Sequence, residues 1–184
     1  MEKQDDEWRN PRLLPPPVNS DARELGGHMS KDGYFYFSTS REGEISGQCR
    51  VKVINGEFIG IESLEYLNKF GMPCFEVARD PDGKFIVFVS GDQADGYGAF
   101  DLYVSFKNDD DSWTTPKNLG DRINTPANEH FPAFSPDGQY LFFVSDRISP
   151  EAEKKPNSPM NGSSDIYWVS AKIIEELIRR ERRQ

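Results

Sequence analysis

Three stretches of the chain place a turn signal directly before an apolar run: SKDGYFYFSTSR from Ser30 to Arg41, DPDGKFIVFVSGD from Asp80 to Asp92, and SPDGQYLFFVSDR from Ser135 to Arg147. A short run with no polar alternation, such as FIVFVS or YLFFVS, predicts a strand buried on both faces. The Asp-Gly pair ahead of each run predicts a type I hairpin turn closed by a glycine, so Gly33, Gly83 and Gly138 are expected at positive φ or in a bulge after the hairpin. A strand buried on both faces needs a neighbour on each side, which implies sheets stacked in series.

The turn aspartates Asp32, Asp82 and Asp137 lie 50 and 55 residues apart, a period that fits propeller blades and not helical solenoids. The first and third units also match without a gap at an offset of 105. Trp8 pairs with Trp113, Leu14 with Leu119, Asn19 with Asn124 and Glu24 with Glu129. Each unit reads as four short antiparallel strands, a to d, with strand d read as FIGIESL in the first unit and as WTTPKNL before Gly120, matched by LLPPP after Trp8; the prolines of the last two befit an edge. This predicts an all-β chain of three four-stranded blades, half of a six-bladed ring, over residues 22–64, 72–119 and 128–170. Residues 8–14 match a strand d and stand as an orphan outer strand, whereas the third unit supplies no strand d of its own. After Ser170, the spacing of Ile173, Ile174, Leu177 and Ile178 predicts a helix over 172–183. The Pro/Ser/Asn/Lys-rich stretch from Ile148 to Ser164 reads as a long surface loop.

Composition narrows the function. Among 184 residues the net charge is −9, which opposes the phosphate neutralisation that nucleic-acid binding needs. No window approaches the length of a membrane span, and the acidic opening MEKQDDEWRNPRLLPPP has no apolar core of an export signal. Cys49 and Cys74 form no disulfide or metal pattern. The nucleophile-elbow, phosphate-loop and zinc-protease signatures are all missing.

The Ser-Pro-Asp-Gly turn at Ser135, the Ser-Asp-Arg ending at Arg147 and the closing DIYWVSAKIIEEL from Asp165 resemble the TolB-like β-propeller family, the Pro-Asp-Gly branch of WD-like repeats. The resemblance implies a bacterial, periplasmic or extracellular repeat module that binds protein or carbohydrate. The expected function is therefore a non-catalytic propeller module with no cofactor, binding through its loop face or channel mouth. The alternative is a glycan-active enzyme, sialidase-like or oligogalacturonate-lyase-like, for which Glu24, Glu129, His28 and His130 are the available acid, base or metal groups.

Glu24 and Glu129 occupy one repeat position ahead of strand a, where Cys74 stands in the middle unit. With His130 they form either an acidic collar at the channel mouth or backbone-bonded framework. Arg147 and Asp165 end and begin consecutive antiparallel strands and are expected to form a structural ion pair, with Cys49 at the aspartate's place in the first unit. Asp109, Asp110 and Asp111 read as a polar hairpin, or else as a weak calcium site, with the channel a second place for calcium. The orphan strand and the missing one together imply a strand-exchanged homodimer closing six blades, or the C-terminal half of a longer propeller.

Overall fold

The computed structural model describes residues 2–4, 7–43, 45, 47–68, 70, 76–91, 93–110, 112–151 and 158–181. Three antiparallel sheets follow one another along the chain. Sheet I runs β3 (Glu24–Met29), β4 (Tyr34–Thr39), β5 (Gly47–Ile54) and β6 (Glu57–Ser63), each paired with the next. Sheet II runs β7 (Val77–Arg79), β8 (Phe85–Gly91), β9 (Phe100–Phe106) and β10 (Lys117–Asn118), and sheet III runs β11 (Glu129–Phe134), β12 (Tyr140–Ser145) and β13 (Asp165–Ser170). Sheet III has three strands among the described residues, in keeping with the missing d run. A separate hairpin, β1 (Glu2–Gln4) with β2 (Glu7–Arg9), lies at the N-terminal end, so Trp8 pairs within it and not with sheet III.

Alternation on β8 shows why its run from Phe85 to Val89 is apolar. Phe85 and Val87 join Leu102 and Val104 in a core shared with Leu141 and Phe143 of sheet III. The opposite side chains, Ile86 and Phe88, pack toward Tyr36 of sheet I. Where a strand has cores on both sides its positions are apolar, and the polar Ser90 comes only near the end of β8, where its hydroxyl donates to the Phe70 carbonyl at 3.2 Å. Sheet I buries its far side, Phe37, Cys49 and Val51, under Val18 and Leu14, and burial holds the Cys49 thiol up at about 11. The helix α2 (Lys172–Glu181) closes the core between sheets II and III with Ile173 and Ile174. A four-residue helix, α1 (Glu65–Asn68), connects sheets I and II and has no signal in the hydrophobic pattern.

The three turns behave as their glycines predict. Gly33, Gly83 and Gly138 have φ of 81°, 72° and 71°, and each donates its N–H to the residue three before it, Ser30, Asp80 and Ser135. A side chain at Gly138 meets Pro81 Cδ at 3.3 Å, whereas Gly83 opens into empty space. Gly138→Val is therefore expected to cost about 1–3 kcal/mol from backbone strain and crowding, and more than Gly83→Val. Urea denaturation midpoints of the two variants check this.

Side-chain amides join the sheets. Asn124, buried between sheets II and III, accepts the Leu102 N–H at 2.9 Å through Oδ1 and donates to the Leu102 carbonyl at 2.9 Å through Nδ2. Asn68 treats Gln48 in the same way, accepting its N–H at 2.8 Å and donating to its carbonyl at 3.3 Å. Each asparagine substitutes for a strand residue on the outer edge of the third strand of a sheet, satisfying backbone groups that burial would otherwise strand.

Candidate functional site

Glu24 and Glu129 are the first residues of β3 and β11, and both are enclosed by the same set of donors. The Glu129 carboxylate accepts from Thr125 N–H at 2.9 Å, Thr125 Oγ1 at 2.8 Å, Ser145 Oγ at 2.7 Å and Arg147 Nη2 at 3.2 Å. Around Glu24 stand Ser20 N–H at 3.4 Å, Ser20 Oγ at 2.6 Å, Thr39 Oγ1 at 3.1 Å and Arg41 Nη2 at 3.2 Å. Each arginine also donates to a backbone carbonyl, Arg147 to Ile123 and Arg41 to Val18. The glutamate thus locks the segment before a sheet to the end of that sheet's second strand. Side-chain exposure is 0% for Glu129 and 11% for Glu24, so the first has no face from which to reach a ligand. The geometry gives both glutamates a framework role.

Burial pushes the Glu24 carboxyl up, but the Ser20 and Thr39 hydrogen bonds and the Arg41 charge outweigh it and hold the group below its ordinary value. A carboxyl with a depressed folded pKa adds stability above its unfolded value of about 4.5, and that contribution is lost as pH falls below it. The melting temperature of Glu24→Gln is therefore expected to change less between pH 5 and pH 3 than that of the parent protein, as measured by calorimetry across that range.

The expected pairing of Arg147 with Asp165 does not occur. Arg147 turns back across its own sheet to Glu129, and its guanidinium carbon lies 4.5 Å from the Tyr167 ring centroid. Asp165 stands opposite Ser145 and accepts the Met160 N–H at 2.6 Å, closing the loop that precedes β13. The first unit's residue at the aspartate's place is Gly47, opposite Thr39, and not Cys49, which stands opposite Phe37. Cys74, the middle unit's counterpart in the collar reading, lies outside the described residues.

His130 Nδ1 lies 3.3 Å from Glu76 Oε2. The same oxygen accepts the Phe131 N–H at 2.7 Å and steadies Phe131 at φ 50°, where the first unit has Gly26 at φ 67°. Both residues sit in the bulge of a first strand, between Leu25 and His28 or between His130 and Ala133. Asp110 accepts the Ser112 N–H at 3.0 Å and Asn108 donates to Ser112 Oγ at 2.8 Å, so that stretch is a closed hairpin. Asp111 lies outside the described residues, and among the described residues no three His, Cys, Asp or Glu groups stand close enough to share a metal ion. No described helix is long and apolar enough to cross a membrane.

The first strands of all three sheets converge on one cavity of about 550 Å³. Its wall carries His28, Met29, Lys31, Arg79 and Phe134, with small residues between them and no carboxylate. The Arg79 guanidinium lies 3.3 Å over the Tyr36 ring centroid, and burial together with the Arg79 charge holds His28 below its ordinary pKa. Sequence reasoning singled out neither Arg79 nor this cavity, whose wall comes from segments about fifty residues apart.

No family model matches the chain, and no curated protein matches it. Among solved structures it is similar to TolB from Acinetobacter baumannii, at a TM-score of 0.48 and 18% identity over 83% of this chain and 31% of that one. It is also similar to the tricorn protease, at a TM-score of 0.41 and 10% identity over 80% of this chain and 13% of that one. A prolyl endopeptidase gives a TM-score of 0.44 and 14% identity over 86% and 22% of the two chains. The chain thus spans less than a third of the length of each of these propeller proteins.

Proposed function

We propose that the chain is a non-catalytic propeller-type module that binds a carboxylate-bearing segment of a partner protein in the cavity between its first strands. The observation that carries this reading is the make-up of the wall: in a chain with a net charge of −9 it places Arg79, Lys31 and the uncharged donor His28 around a concavity with no acidic residue in its lining, although Lys31 Nζ also reaches Asp82 at 3.2 Å. Its volume lies in the range of ligand sites, and a few polar groups on a largely apolar wall suit recognition. A polypeptide is favoured over a glycan because β3, β7 and β11 are each the edge of their sheet, and edges offer backbone groups to an extended chain.

The reading is tested by titrating an array of acidic dodecapeptides and their amidated counterparts, with oligogalacturonate as the carbohydrate probe, by calorimetry. Acidic peptides are expected to bind and the amidated set to be weaker by about tenfold, the worth of one charge-assisted contact. His28→Glu, at an exposed position, is expected to abolish the preference. Binding of oligogalacturonate alone would assign the cavity to a carbohydrate, and turnover of it would assign the protein to the enzymes.

A further inference from the structure

The seam between sheets II and III is built from parts that the chain carries a second time, at the start of sheet I. In the seam the Leu119 N–H donates to the Leu102 carbonyl at 3.0 Å, Asn124 clasps both peptide groups of Leu102, and Leu119 and Ile123 fill the core. At the offset of 105 stand Leu14, Val18 and Asn19. Leu14 and Val18 already lie against Phe37, Cys49 and Val51 of sheet I, as Leu119 and Ile123 lie against Leu141 and Phe143 of sheet III. Among the described residues Asn19 clasps no strand, and it donates at 2.8 Å to the Leu14 carbonyl within its own segment.

The receiving surface is also repeated. Leu102 and Val104 of sheet II are opposite Val89 and Val87, and in sheet III Ile166 and Trp168 are opposite Val144 and Phe142. Leu102 and Val104 are fully buried by sheet III, whereas Ile166 and Trp168 are 79% and 65% exposed, with Tyr140 and Phe142 open beside them. β13 is the edge of its sheet among the described residues. An apolar sheet face next to an unpaired edge is a surface built to be covered.

We propose that this face docks a second copy of the chain: residues 12–14 of the copy add beside β13, and its Asn19 clasps Ile166 as Asn124 clasps Leu102. The occupant follows from continuity with the internal seam, since the surface that covers Leu102 inside the chain is the one that residues 14–19 present on their sheet. Each copy gives one face and receives on the other, so the contacts are head-to-tail and must close a ring or run on as a filament. Two copies make six sheets, inside the range of about four to eight blades over which such rings close, and three copies exceed it.

Light scattering after size exclusion of the 184-residue chain, from about 1 to 50 µM, is expected to give a particle of two chains. Trp168→Glu changes a side chain that is exposed in the single copy. It is expected to leave the circular dichroism spectrum unchanged while lowering the mass to one chain. Asn19→Ala removes the clasp and is expected to raise the dimer dissociation constant about tenfold, because the buried Ile166 N–H loses its partner. A parent protein that runs as one chain with a cooperative melt, or as an open series of larger assemblies, overturns the proposal. So does a dimer whose dissociation constant neither substitution moves.

Discussion

Replacing Glu129 by alanine is expected to remove about 3 kcal/mol of folding stability. Its carboxylate is fully buried and is the common acceptor for a backbone N–H, two hydroxyls and the Arg147 guanidinium. Taking away one partner of a buried pair leaves the other charge without compensation, at a cost of about 3–5 kcal/mol. The low end applies because the Arg147 side chain keeps 19% exposure and can recover some hydration. In a domain of this size each kcal/mol moves the melting temperature by about 2–4 °C, so a fall of roughly 10 °C is expected by calorimetry. Glu24→Ala removes the same set of bonds at a more exposed position and is expected to cost less. Equal losses from the two substitutions would show that burial is not what sets the cost.

Asn124→Ala is expected to cost about 1–3 kcal/mol, although it deletes no charge. The substitution strips the N–H and carbonyl of Leu102 of their side-chain partner, and each buried polar group left unsatisfied costs about 1–3 kcal/mol. The Leu102 carbonyl keeps the Leu119 N–H at 3.0 Å, which confines the main loss to the amide. Chemical denaturation separates this from a packing effect: Asn124→Asp, which retains an acceptor for the Leu102 N–H, is expected to recover part of the loss at neutral pH.

The sheets were legible because an apolar run behind a glycine-closed turn states both a strand and its burial, and three such statements at a period near fifty residues leave little freedom in the arrangement. Side-chain partnerships were less legible. Opposed strand ends suggested Arg147 with Asp165, yet the register sets Asp165 against Ser145 and leaves the arginine free to turn toward Glu129. The signal for the actual partner was present in the repeat: Ser20, Glu24 and Arg41 recur as Thr125, Glu129 and Arg147, whereas the aspartate has no counterpart in the first unit. Asn68 carried no such signal, since it sits on α1, outside the matched offset. The cavity wall was hidden for another reason, being assembled from the edges of three strands distant in sequence.

The two seams differ in substance, and the chain should come apart accordingly. Between sheets II and III the contact joins a broad aliphatic core to Phe85 set edge-on to Phe134, is clasped by a buried Asn124 and is closed by Ile173 and Ile174 of the helix. Between sheets I and II it is aromatic and cationic, with Arg79 over Tyr36 and Tyr66 stacked on Trp113 at 5.2 Å between ring centroids. Stacked repeats lose structure through their weakest interface first. Hydrogen exchange should therefore find sheet I opening as a unit while the amides of β8, β9 and β12 remain protected.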